Sequence, residues 1–298
     1  MLHDVIIIGG GFAGLAAAMP LTRARRRVLL IDAGQPRNRF AAHSYGFLGQ
    51  DGVAPADIQA RGMAELSAYP TFTLVRGEVV RAAGTLDAFA VALADGSTLE
   101  GRRLILATGV RDELPAIPGM KERWGVGALH CPYCHGYEVA GRPLGVLGTQ
   151  AGSDMKALLV SDWGPVTLFT QDAFLPGAEM MARLTERGIT VERVPIMEML
   201  GEAPSLSAVR LADGRVLPLA ALFVGPRTHM ASPLALQLGC AFEEGHSGPY
   251  LRINEGKETS VPGIFAAGDA TMQMHSATLS VASGMLAGVG AHRSLLGF

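Results

Sequence analysis

The decapeptide LHCPYCHGYE, residues 129–138, places two cysteines three apart and brackets them with His130 and His135. Three chemistries use such a pair. A C-x-x-C can cycle between dithiol and disulfide, and CPYC is also the glutaredoxin motif. It can supply half of a zinc site. Read with His135 it spells C-x-x-C-H, the haem attachment motif. Or the thiols are simply buried. Zinc needs four ligands, and no second C-x-x-C or H-x-x-x-H completes the set, so no metal is expected. Haem attachment belongs outside the cytoplasm. The glutaredoxin fold cannot be traced around the motif, and buried inert thiols sit poorly among a proline, a tyrosine and two histidines. The third cysteine, Cys240 in LQLGCAFEE, is expected to be a small buried apolar side chain.

The elements that must hold this pair are legible in three places. DVIIIGGGFAGLAAA reads as a buried strand, a glycine turn and a small-residue helix, with Gly9, Gly11 and Gly14 filling G-x-G-x-x-G and Asp32 ending the next strand, RVLLID. In that context the pattern is a dinucleotide fingerprint. Gly9 makes the tight turn, Gly11 lets backbone approach a pyrophosphate at the helix N-terminus, Gly14 packs helix on strand, and Asp32 suits a ribose 2′-hydroxyl. Pro20 is expected to kink the helix, because it cannot donate to the carbonyl of Ala16. A second unit opens near residue 143: RPLGVLG as strand, SDMKALLVSDW as helix, PVTLFT as strand. Here Gly148 keeps the first position, but Gln150 and Ser153 stand at the second and third. Gln171 and Asp172 follow the strand, with no arginine before Arg183, so a 2′-phosphate lacks an evident partner and NAD(P)H has no clear site. Near the C-terminus, FAAGDATMQMHSATLSVASGMLAG gives a strand, Gly268-Asp269 and a long small-residue helix, while RLILATG is a strand running into Thr108-Gly109.

These pieces predict an α/β protein of two Rossmann-like domains, the second inserted into the first. The outer domain is expected to take residues 1–113 and 242–298, and the inserted one, carrying the C-x-x-C, residues 114–241. The 298 residues suffice for two domains. With 25 basic and 27 acidic residues, bulk charge offers nothing to nucleic acid or a membrane surface. The basic run RARRR, 23–27, is read as a helix C-terminus. No signal peptide precedes the first strand and no apolar run reaches the roughly 18 residues of a membrane helix, so the expected compartment is the cytoplasm.

In this order the segments resemble the low-molecular-weight thioredoxin reductase family of flavoproteins, over nearly the whole chain. The resemblance implies that FAD lies on the first fingerprint, contacted by Gly9, Gly11, Gly14, Asp32 and Asp269. It also assigns to that site Asn38 of PRNRF, Thr108 and Gly109 of ATG, Gly268, and His275, Ser276 and Ala277 of MHSA. It implies that Cys131 and Cys134 pass electrons to and from flavin, with Cys134 facing the flavin and Cys131 exchanging with substrate. CPYCHGYE, PRNRF and MHSA are closest to the dithiol-oxidase branch, whose members close disulfides in natural products such as gliotoxin and holomycin and hand electrons to oxygen. The damaged second fingerprint, the missing arginine cluster and His135, where reductases usually carry aspartate, all depart from the reductase pattern.

A redox disulfide is therefore the reading of CPYC. A helix begun at the pair would favour a Cys131 thiolate for a turn or so, Pro132 would fix the backbone between the sulfurs, and His135 would move protons. The expected activity is FAD-dependent oxidation of a dithiol with oxygen as acceptor. An NAD(P)H-dependent disulfide reductase acting on a thioredoxin-like protein is the alternative. Ferredoxin-driven reduction comes third, and a flavin-binding protein whose C-x-x-C holds metal or a partner is the non-enzyme reading. The segment 36–52 is expected to loop over the flavin, its Tyr45, Phe47 and Leu48 suiting an apolar substrate. The resemblance and the 49% hydrophobic content imply a homodimer.

Overall fold

The computed structural model describes residues 2–149 and 152–298, which fall into two compact units. The first comprises the chain up to Arg39, Pro55–Asp112 and Thr228–Phe298; the second comprises Phe40–Ala54 and Glu113–Arg227. Both are α/β, as the sequence patterns predict.

In the first unit, five strands run parallel in the order Phe72–Arg76, Val28–Asp32, His3–Ile8, Thr98–Leu106, Ile264–Ala266. The antiparallel strands Val79–Thr85 and Ala88–Leu93 extend the sheet from the N-terminal half of Thr98–Leu106. The apolar runs are continuous because both faces are covered. Val5, Ile7, Val28, Leu30 and Ile105 point into one core, while Ile6, Ile8, Leu29, Ile31, Leu104 and Leu106 point into the other. The first of these cores is closed by the helices Phe12–Arg23 and Ala277–Leu295. These two helices touch through glycine: a Cβ on Gly284 would lie 2.1 Å from the Ala13 carbonyl, and one on Gly288 2.3 Å from that of Ala17.

The first helix runs past Pro20 to Arg23 without interruption, so the expected kink does not end it. Pro20 instead packs its ring toward Gly288, where a missing side chain makes room. Arg23 stands in the last turn, as RARRR predicts.

The second unit is built on five parallel strands, in the order Thr190–Glu192, Val166–Phe169, Leu144–Leu147, Ala221–Val224, Ala128–Leu129. The helix expected over 153–163 stops at Val160, and Ser161 caps it. A three-stranded antiparallel sheet, Ile196–Leu200, Ala208–Leu211 and Val216–Pro218, packs its buried side chains with those of the parallel strands.

The unit boundaries differ from the expected 113/114 and 241/242 in two ways. The return to the first unit comes at Thr228, because Leu234, Ala235 and Cys240 join the core of Ile6 and Leu104. Cys240 is 5% exposed there, the small buried side chain anticipated. Residues 40–54 group with the second unit, where Tyr45 meets His135 of the C-x-x-C segment. Among the described residues, no helix is long and apolar enough to cross a membrane.

Candidate functional site

Because five strands of the first unit's sheet run parallel, their carboxyl ends deliver Gly9, Asp32, Ala107-Thr108-Gly109 and Gly268-Asp269 to one edge of the sheet, where open α/β sheets take their ligands. The glycines there divide by what a side chain would meet. Gly9, at φ +111°, would place a Cβ 2.3 Å from the Ala107 carbonyl, and Gly14 would place one 1.9 Å from the carbonyl of Gly9. Both are required by the fold itself. A Cβ on Gly11 would meet nothing within 4 Å. Gly11 is also the N-cap of Phe12–Arg23, with no side chain capping the helix amides. An open approach to the start of a helix is what a pyrophosphate uses, so these residues fit FAD. Gly109 and Gly268 take φ +67° and +77°, turning the chain sharply as it leaves its strands.

Asp32 accepts from the Gly10 and Gly34 amides at 3.2 and 3.1 Å and pairs with Arg76, which pins the carboxylate at the strand end. Its two oxygens offer about four acceptor sites, leaving capacity for a ribose hydroxyl. Asp269 sits in the short turn Gly268–Thr271 and accepts from Ser280 at 3.2 Å and from Arg37 at 2.8 Å. Arg37 also grips Asp112 with two bonds, 2.9 and 2.5 Å. Burial pulls the Arg37 pKa down, but Asp112 and then Asp269 outweigh it and the net direction is up. Asn38 follows in the same turn, Arg37–Phe40. Ser276 spends its hydroxyl on the Leu279 amide at 3.1 Å as the N-cap of Ala277–Leu295, so its side chain is a helix cap. His275 precedes it, with its pKa lowered by burial, partly countered by Asp269.

In the second unit Cys131 and Cys134 are joined as a disulfide, with Cα atoms 5.3 Å apart. The helix at the pair is only Pro132–His135, followed by a turn over Tyr137–Val139. The amides of Cys134 and His135 both point to the Cys131 carbonyl at 3.3 Å. The helix-terminus stabilisation expected for the Cys131 sulfur is thus slight. Both sulfurs belong to half-buried residues, whereas Tyr133 and Tyr137 beside them are exposed. Tyr133 packs edge-on against Trp163, and the His135 ring packs edge-on against Tyr45 at 5.9 Å. Burial lowers the His135 pKa, with Glu138 opposing, so the imidazole is neutral at pH 7 and able to accept a proton. Among the described residues no three His, Cys, Asp or Glu side chains converge as a metal site.

The second fingerprint is altered in structure as well as in sequence. A Cβ on Gly148 would strike Phe174 at 2.9 Å, so this glycine serves packing. Gln150 lies outside the described residues. Ser153 is the first residue of the helix Ser153–Val160. Asp172 is paired with Arg193 at 2.7 Å.

Four residues escaped the sequence reading. Arg37 and Asp112 complete the network of Asp269, and their signal was a charged residue following each of three strands of one sheet. Arg193 follows the strand next to Val166–Phe169, so parallel order brings it to the same edge as Asp172. Lys156, a lone cation in the apolar stretch MKALLV, donates to the His130 carbonyl at 3.2 Å and the Val224 carbonyl at 3.0 Å.

Comparison with known proteins adds independent support. Residues 3–284 match the family model described as pyridine nucleotide-disulphide oxidoreductase. The chain is 33% identical to thioredoxin reductase tcpT of Claviceps purpurea, over 98% of this chain and 94% of that one. The solved structure of an oxidoreductase from Agrobacterium tumefaciens superposes with a TM-score of 0.95 at 46% identity, covering 99% of each chain. That of HlmI gives 0.91 at 41%, covering 99% of this chain and 92% of the other.

Proposed function

Because the chain belongs to the pyridine nucleotide-disulphide oxidoreductase family and is an FAD-dependent enzyme of it, we propose that it oxidises a dithiol to a disulfide with oxygen as the electron acceptor. The observation that carries this reading is the Cys131–Cys134 disulfide, flanked by a neutral His135, in a unit whose nucleotide fingerprint is altered. FAD held by the first unit would supply a two-electron acceptor for the protein dithiol and a route for that pair to dioxygen, with hydrogen peroxide as the product. The rest is the work of the chain. A substrate thiolate attacks the Cys131 sulfur and expels the Cys134 thiolate. The second substrate sulfur then attacks the first, closes the substrate disulfide and expels Cys131. Two substrate S–H groups are lost and two cysteine thiols are gained, so atoms and electrons balance. His135 takes a proton as an attacking thiol ionises and returns it to a leaving sulfur. In the first unit, Gly9, Gly11, Gly14 and Asp32 would hold the adenosine and pyrophosphate. Asp269, fixed by Arg37 and Ser280, would hold polar groups further along the cofactor. Thr108, Gly109, Gly268, His275, Ala277 and Asn38 would complete the cofactor site.

Exposed Tyr133, Tyr137 and Leu48 in the disulfide-bearing unit favour an apolar small-molecule dithiol. Such a redox-cycling disulfide suits the cytoplasm, where structural disulfides are rare. We also propose a homodimer, argued below. A second reading, nicotinamide-driven reduction of a disulfide in a small protein such as thioredoxin, is favoured by one observation. Arg193 reaches the edge where a 2′-phosphate would lie, although it is paired there with Asp172. The test is peroxide formed per dithiol consumed. We expect one for one in the wild type. Cys131→Ser and Cys134→Ser should each lose turnover at least a thousandfold while keeping FAD, whose residues lie in the other unit. Turnover by either serine variant would contradict the reading.

A further inference from the structure

We propose that Lys156 is a positioning residue of the redox disulfide, its ammonium clamping the backbone at His130 and supplying the positive charge that stabilises the Cys131 thiolate expelled as the substrate disulfide closes. The proposal rests on the disulfide reading above and goes beyond it, since that reading leaves the thiolate without a stabilising cation. The four-residue helix after Cys131 directs its amides at a carbonyl, and burial keeps His135 neutral at pH 7. Lys156 is different. From the helix Ser153–Val160 it reaches the carboxyl ends of two neighbouring parallel strands and donates to the carbonyl of His130, one peptide bond from Cys131, and to that of Val224. The His130 ring nitrogen Nδ1 meets the same Val224 oxygen at 3.3 Å. Three groups thus tie the chain entering the disulfide to the edge of the sheet.

A buried cation normally pairs with a carboxylate. Lys156 has backbone carbonyls instead, and burial alone lowers its pKa to about 8. It keeps its proton at neutral pH for the most part, and carbonyl oxygens leave its net charge intact. When a substrate dithiol opens the disulfide, Cys134 leaves as a thiolate and Cys131 enters a mixed disulfide, from which it is expelled as a thiolate when the substrate disulfide closes. On completion two electrons have moved from substrate to the cysteines. A fixed positive charge beside Cys131 stabilises the anion formed there, lowers the thiol pKa and favours the reduced pair.

The experiment equilibrates the anaerobic holoenzyme in dithiothreitol redox buffers, traps free thiols by alkylation and measures the open fraction by mass spectrometry. Lys156→Gln keeps two N–H donors without charge, Lys156→Met removes both, and Lys156→Arg keeps the charge. In the Gln and Met variants the equilibrium should shift about tenfold toward the disulfide, about 30 mV for a two-electron couple, and the Arg variant should stay within about threefold of wild type. Alkylation of reduced Cys131 by iodoacetamide at pH 7 should slow in the Gln and Met variants and recover in Arg. If the Met variant fails to fold, Gln and Arg still decide the matter. A Gln variant matching wild type in both readouts would overturn the proposal. A wild-type pair that stays closed in every buffer would instead sink the disulfide reading beneath it.

Discussion

His135, the residue directly after Cys134, shows how local packing gives a side chain its role. The backbone turn Pro132–His135 brings it next to Cys134, Tyr45 packs against its ring, and burial depresses its pKa below the ordinary 6.5. The direction sets the pH dependence. A base with a lowered pKa stays mostly neutral at pH 6.5, so the acid limb of dithiol oxidation should have its midpoint below the ordinary histidine value of 6.5. His135→Gln should reduce kcat roughly a hundredfold at pH 7, within the usual range for a positioned base, and abolish that acid limb. An unchanged limb in the Gln variant would assign it to another group. The pair C-x-x-C and the histidine beside it were legible because their chemistry is written in consecutive residues. Arg37, Asp112 and Lys156 were not, because their partners lie 75, 232, 26 and 68 positions away and are joined only by strand order.

The fingerprint between His3–Ile8 and Phe12–Arg23 carries two separable demands. Gly14 is a packing requirement, while Gly11 faces open space. Gly14→Ala should therefore destabilise the protein even without FAD, by about 3 kcal/mol given its contact with the Gly9 carbonyl. Gly11→Ala should leave the unfolding midpoint of the apoprotein within about 0.5 kcal/mol of wild type and weaken FAD binding at least tenfold. Chemical denaturation and flavin titration read the two effects separately. Normal FAD affinity in Gly11→Ala would mean that the pyrophosphate lies elsewhere. The same element shows what the local pattern leaves out: the helix continues past Pro20 because something receives the ring, and Gly288, 268 residues later, supplies that room. Strands and helix starts were legible from apolar runs and glycine turns. The end of Ser153–Val160 was not, since its apolar pattern continues into Trp163, which packs on Tyr133 outside the helix.

At the scale of the molecule, the insertion of one nucleotide-binding-like unit into another was visible in the order of the motifs. The assignment of residues 40–54 to the second unit was not, because nothing in AAHSYGFLGQDG announces that Tyr45 meets His135. The helix Ala277–Leu295 buries its small residues against Phe12–Arg23 and leaves Leu279, Met285, Leu286 and Val289 exposed along one face. That spacing is an apolar stripe of the kind a partner surface covers. We expect a dimer in sedimentation at micromolar concentration, and a monomer for Leu286→Glu with its FAD content unchanged. A wild-type monomer would contradict the homodimer.

The central claim is that electrons enter from a dithiol and not from a nicotinamide. Mixing the anaerobic holoenzyme in a stopped-flow instrument with a dithiol, NADPH or NADH, and following flavin absorbance, tests it most directly. The account predicts rapid bleaching by the dithiol, lost in Cys134→Ser, and only slow bleaching by either nucleotide. Rapid bleaching by micromolar NADPH would contradict it and establish the reductase.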